Sequence, residues 1–192
     1  MAQTTNVGFS INPYIYGANA DATNVATLYA PAELGAQFYN SGNKYQRVQV
    51  DSGATSATPT GAVLATQLAY WVDKSKKIVT NDSRFALAGS PNVAGSTGVA
   101  QRNAVAGIFR VAATAGYYVD VLQKGNGVLV NSDNSGTVGQ IAIPASSTTV
   151  PSVTASAIGT APPYPPVGII RAVPTGSSPY TVTVDVDIAS VD

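Results

Sequence analysis

The sequence predicts a mainly β protein: a compact β-barrel or β-sandwich with an extended N-terminal arm and a Pro-linked C-terminal β-hairpin. Three observations predict it. Residues 180–188 alternate strictly, with Val182, Val184, Val186 and Ile188 on one face and Thr181, Thr183, Asp185 and Asp187 on the other. That is the period of a half-buried strand. Short runs rich in β-branched and aromatic residues recur at 45–50 and 105–130, as strands favour. Clusters of Gly, Pro, Asn and Ser punctuate them as turns do. A chain of 192 residues suits one domain and can bury a core without disulfides.

The elements follow in order. Residues 1–20 begin polar and then place Phe9, Ile11, Tyr14 and Tyr16 around Pro13, which fits an extended arm better than a core strand. Pro31 to Leu34 could open a short helix, with proline in its first turn. Residues 38–79 read as mostly extended, with Val48 and Val50 on one face of a strand at 45–50. Residues 51–61 form a Ser/Thr/Gly/Pro-rich loop. The stretch 63–72 admits two readings: Leu64, Leu68, Trp71 and Val72 match a helical stripe, while Tyr70, Trp71 and Val72 suit a strand. The strand is favoured, ending at Asp73, with a turn at Lys74 to Lys76 and a second strand over 77–80. Further on, 105–111 is strand-like and Ala115–Gly116 breaks it. Residues 117–122 follow, with Tyr117, Val119 and Val121 on one face. Lys124 to Gly127 then reads as a tight hairpin turn, since Asn126–Gly127 readily takes the positive φ such turns need. Residues 127–130 return, 131–136 form a polar loop, and 141–143 make another short strand. Residues 148–166 read as a linker ending in Pro162, Pro163, Tyr164, Pro165 and Pro166, which must be extended or polyproline II. A hairpin of 167–173 with 180–188 closes the chain, turning at Ser177 to Pro179. The organisation is thus an arm (1–20), a β-rich core (21–147), a linker (148–166) and a C-terminal hairpin (167–192) that could pack on the core. Gly107 to Arg110 (Gly-Ile-Phe-Arg) and Gly168 to Arg171 (Gly-Ile-Ile-Arg) echo each other; so short a match in β-rich sequence reads as chance.

Composition excludes whole classes of chemistry. The chain has no histidine and no cysteine. That removes Ser-His-Asp triads, Cys-His dyads, zinc clusters and disulfides. Ten basic residues balance ten acidic ones, and only 10% of the chain is charged. A nucleic-acid binder needs a basic surplus, so none is expected. Such low charge fits either a surface covered by partners or a neutral one rich in Ser, Thr and Asn. No apolar run is long enough to span a membrane, and the opening residues lack the pattern of a secretory signal.

Each candidate site has a plainer reading. Asn131 to Gly136 begins like a calcium loop, but the twelfth position, which needs a bidentate carboxylate, is Ala142,. Asp185 and Asp187 share a strand face about 7 Å apart, where like charges more often discourage edge pairing than hydrolyse sugars. Ser52 has no histidine to activate it. Asn81 to Ser83 is a glycosylation sequon that reads as a turn. Lys74, Lys76 and Lys77 read as a solvated turn. Trp71, the only tryptophan, reads as core rather than a sugar platform. Catalytic residues, metal ligands and cofactors are therefore expected to be absent.

Three stretches resemble capsid decoration (head cement) proteins of tailed bacteriophages. Tyr70 to Lys74 followed by Ile78 to Asp82 is similar to their middle strands. Arg102 to Ile108, then Thr114 to Val119 and Gly125 to Val128, is similar to their later part, where a "VAGI" strand leads through a glycine turn to a hairpin. The resemblance covers residues 36–131; the long N-terminal arm and Pro-linked C-terminal segment depart from it. It implies a virion structural protein, made in the host cytoplasm and seated on the capsid surface. It also implies the major capsid protein as partner and a homo-oligomer, a trimer by resemblance alone. No cofactor, nucleic acid or membrane is implied. The partner-binding residues expected are Phe9, Ile11, Tyr14, Tyr16, Pro162, Pro163, Tyr164, Pro165 and Pro166, as straps that dock by strand addition or polyproline contact. Another virion part (neck, tail or fibre base) and a carbohydrate-binding adhesin module are the alternatives.

Overall fold

The computed structural model describes residues 34–51, 62–82, 105–133, 136–145, 152–156, 166–173 and 180–188. All regular structure among them is strand: β1 (Gln37–Asn40), β2 (Asn43–Val50), β3 (Ala62–Val63), β4 (Leu68–Asp73), β5 (Ile78–Thr80), β6 (Val105–Phe109), β7 (Ala113–Thr114), β8 (Tyr118–Ser132), β9 (Ile141–Pro144), β10 (Val153–Ser156), β11 (Gly168–Ala172) and β12 (Tyr180–Asp187). The mainly β reading holds, and the architecture is a barrel.

Two rings close on one strand. β2, β5, β4, β6 and β8 pair in that order, and β8 returns to β2. β8, β10, β9, β11 and β12 pair in that order, and β12 returns to β8. Taken in chain order, each ring is wound alike. Its first strand lies parallel to its third, and every other pairing is antiparallel: third to second, second to fourth, fourth to fifth, fifth to first. The 15-residue β8 is the fifth strand of the first barrel and the first strand of the second. β1 adds to β2 as a hairpin, turning at Ser41 and Gly42, both at positive φ.

The registers also match. Leu68 and Ala69 face Ile108 and Gly107 in the first barrel; Ile141 and Ala142 face Ile169 and Gly168 in the second. Phe109 faces Val121 as Ile170 faces Val184. Val48 faces Val119 as Val130 faces Val182. The echo of Gly107 to Arg110 in Gly168 to Arg171 is therefore not chance. Both copies begin on the fourth strand of a ring, at one register.

Each barrel fills with side chains from all five of its strands. Val48, Val50, Ala69, Val79, Ala106, Phe109, Val119 and Val121 form the first core. At matching registers, Val130, Ala142, Val153, Val167, Ile170, Val182 and Val184 belong to the second. Each valine, isoleucine or phenylalanine among them contributes roughly 1.5–3 kcal/mol when fully buried. Tyr45, Leu68, Tyr70, Ile108 and Leu122, which alternate with the first core along their strands, join the second core in one continuous cluster.

Two expectations need correction. Residues 124–127 make no hairpin turn; β8 runs straight through them. Gly127 does take a positive φ, +65°, but it serves a β-bulge. From Gly125 to Val128 is three steps, where their partners Val186 and Val184 are two apart. The surplus residue is absorbed at the glycine. Second, a strand, β10, lies inside the stretch read as linker. The favoured strand reading of 63–72 holds from Leu68 to Asp73, and the helical stripe has a physical reason. Leu68 and Tyr70 enter one cluster while Ala69 and Trp71 pack on the other, and a strand buried on both faces loses its polar alternation. The expected turn at Lys74 to Lys76, the strand at 105–109 and the pairing of β11 with β12 are all present. The arm at 1–20 lies outside the described residues, as does the suggested helix apart from Leu34.

Candidate functional site

Most predicted strap residues (Phe9, Ile11, Tyr14, Tyr16, Pro162, Pro163, Tyr164 and Pro165) lie outside the described residues. Pro166 is described and exposed. It leads directly into buried Val167, whose amide donates to the Ala142 carbonyl oxygen at 2.8 Å. One end of the Pro-rich strap is thus fixed to the rim of the second barrel.

The ionisable groups are used for structure. Arg47 and Asp120 face each other across β2 and β8. The guanidinium donates from Nε to Oδ1 at 3.1 Å and from Nη2 to Oδ2 at 3.4 Å. Both side chains are buried, so the forked geometry fixes the register where the first ring closes. Inside that barrel Gln123 donates to Gln46 Oε1 at 2.7 Å. The matching registers of the second barrel hold Val128 and Val186. Asn81 is fully buried and donates to Gln67 Oε1 at 2.9 Å, which withholds the sequon's acceptor nitrogen from solvent.

The lysine cluster behaves as a turn. Asp73 Oδ1 accepts from the Ser75 hydroxyl at 2.6 Å and the Lys76 amide at 3.1 Å. The Ser75 hydroxyl first, and then the Lys76 amide, hold the Asp73 carboxyl below the usual range. Partial burial, then the like charge of Lys77, pushes the Lys74 ammonium down. Lys77 Nζ lies 5.8 Å from the centre of the Trp71 ring, and Trp71 is half-buried against the first core. Among the described residues no group of three or more carboxylates, histidines or cysteines could hold a metal.

Asp185 and Asp187 do not guard a free edge, because β12 has a partner on each side. Asp185 accepts from the Gly127 amide at 3.0 Å and from Arg171 Nε. Asp187 pairs with Lys124 at 3.6 Å. The Gly127 amide, and next the Arg171 guanidinium, hold the Asp185 carboxyl below its ordinary range. A folded-state pKa below the unfolded one adds stability above the unfolded value, and that stability is lost as pH falls through the folded value. Acidification is therefore expected to lower the melting temperature. Asp185→Asn should flatten that slope in the acid range, while Asp73, shifted in the same direction, keeps part of it. A melting series against pH on both proteins checks this; identical slopes would count against the role given to Asp185.

Leu129 and Ile169 are large apolar side chains standing exposed on the second barrel. Leu129 sits opposite Thr183, and Ile169 opposite Asp185 two residues along β12. Sequence reasoning missed both. The available signal was Leu129, apolar between Val128 and Val130 where alternation calls for a polar residue. Such a face can dock.

No family model matches the chain, and no curated protein sequence matches it. Among solved structures, the N base of head fibre gp8.5 of bacteriophage phi29 is similar at a TM-score of 0.40 and 10% identity, covering 77% of this chain and 98% of that one.

Proposed function

We propose that this protein is a structural component of a tailed-bacteriophage particle that decorates the head and stabilises it by bridging neighbouring subunits of the major capsid protein. The observation that carries the reading is that the resemblance coincides with a folding unit. Residues 36–131 run from the start of β1 to the penultimate residue of β8, which takes in the whole first barrel. The charge-poor, balanced composition and the structural use of the described ion pairs favour a docking role over a chemical one. The straps at 1–20 and 162–166 are the proposed contacts with capsid subunits.

A protein that binds the assembled shell and not its free subunits stabilises the shell by mass action, by about 2.7 kcal/mol per site at a hundredfold excess over Kd. Two straps reaching two subunits raise the effective concentration of the second contact. Particles carrying the protein are expected to rupture at higher temperature, or at higher chelator concentration, than particles stripped of it. Replacing Phe9, Ile11, Tyr14 and Tyr16 by serine should release the protein from particles while leaving its melting curve in place. Identical rupture with and without the protein, together with its absence from purified particles, would defeat the reading. Recovery at the neck or tail alone would move it to another virion part, and glycan binding by the isolated chain would favour an adhesin.

A further inference from the structure

The two barrels carry one face at matching registers, closed in the first and open in the second. In the first barrel the outward pair between its first and fifth strands is Arg47–Asp120, and the nearby outward residue on its fourth strand is Ile108. These are sealed, at 5%, 1% and 0% exposure. In the second barrel the same registers hold Leu129–Thr183 and Ile169. There Leu129 is 51% exposed and Ile169 43%, with partly exposed Thr183 and Asp185 between them.

The cover on the first face is visible. Its residues Tyr45, Leu68, Tyr70, Ile108 and Leu122 join the core of the second barrel in a single apolar cluster. The apolar part of one barrel's outward face is thus closed by the next barrel along the chain. Among the described residues no third barrel follows to close the second. The open face sets two exposed apolar side chains among polar ones, a mixture that interfaces share,. Its rim includes exposed Arg171, Lys124 and Asp187, so it offers both signs of charge. A highly charged partner gains little from such a rim, whereas a chain of zero net charge suits it.

We infer that the outward face of the second barrel, centred on Leu129, Thr183, Asp185 and Ile169, is a contact surface for a barrel of a second copy of this chain. The contact joins different surfaces on the two copies, so it propagates head to tail and closes into a ring if the rotation allows. The inference does not rest on the capsid reading, and its test uses the isolated full chain.

Sedimentation velocity over a range of concentrations reads the outcome. The unmodified chain is expected to form a discrete oligomer. Leu129→Lys with Ile169→Lys is expected to weaken association about 100-fold, as for the loss of two central anchors, with the β-sheet circular dichroism retained. Val138→Lys, at another exposed apolar residue, is the control and should assemble normally. If the double lysine variant fails to fold, Leu129→Thr with Ile169→Thr decides instead, since threonine suits an exposed strand. A monomeric unmodified chain overturns the inference. So does a double variant that assembles as before, or a Val138→Lys control that dissociates equally.

Discussion

Gly168→Ala is expected to be among the most damaging single-methyl additions in this chain, costing about 3 kcal/mol or more. An added Cβ would land on the Asp185 carbonyl oxygen and against Val184 Cγ1. Overpacking a yielding side chain costs about 1–3 kcal/mol; here the obstacle is the backbone of the neighbouring strand. Gly107 holds the same place in the first barrel, where a Cβ would meet the Leu122 carbonyl oxygen and Val121 Cβ, each at 2.8 Å. Gly107→Ala should therefore be costly as well. Gly42→Ala is the useful contrast: its φ is +81° but nothing lies within 4 Å of the added atom, so its cost is conformational, on the order of 1 kcal/mol. Chemical denaturation of the three variants checks the order Gly168, Gly107, Gly42. A Gly168→Ala protein as stable as the unmodified one would refute the packing account.

Asp120→Ala is expected to cost about 3–5 kcal/mol, because it takes a buried carboxylate away from the buried Arg47 guanidinium,. The second barrel suggests the remedy. At the same register it places Leu129 and Thr183, so Arg47→Leu with Asp120→Thr installs the second barrel's pair in the first. That double variant should recover most of the loss, since apolar replacement of a buried ion pair is often neutral or stabilising. A double variant as unstable as Asp120→Ala alone would show that the pair's charges are not the cause.

Strands with a single buried face were plain in the sequence. The alternation of Val182, Val184, Val186 and Ile188 identifies β12 and its inward side, and all four are buried. Val48 and Val50 mark one face of β2 as plainly, although Tyr45 and Arg47 on its other face are buried too. What misled was context that one strand cannot reveal. Gly127 has the conformation of a hairpin turn, yet whether a left-handed glycine reverses a chain or bulges it depends on the partner strand, here β12, some 50 residues later in sequence. Leu68 to Val72 imitates a helix because both faces are covered. The repeat was written in four residues on each side, Gly107 to Arg110 and Gly168 to Arg171. Its weight came only with the registers, since equivalent positions differ in identity: Phe109 answers to Ile170 inside the barrels, and Arg47 to Leu129 on their outward faces. Of the candidate docking face one sign was legible, an apolar Leu129 where alternation calls for a polar residue, but an exposed leucine and a buried one are written alike.

The shared strand ties the fates of the two barrels together. Neither ring can be dismantled while the other keeps a complete set of walls, because pulling β8 out of one ladder frays the other at Lys124, which pairs with Lys44 on one side and Asp187 on the other. Unfolding should therefore run as one cooperative transition rather than two. Amide protons in the middle of β8 should exchange last of all, through complete unfolding of the chain. A partner gripping either barrel would then slow exchange in both.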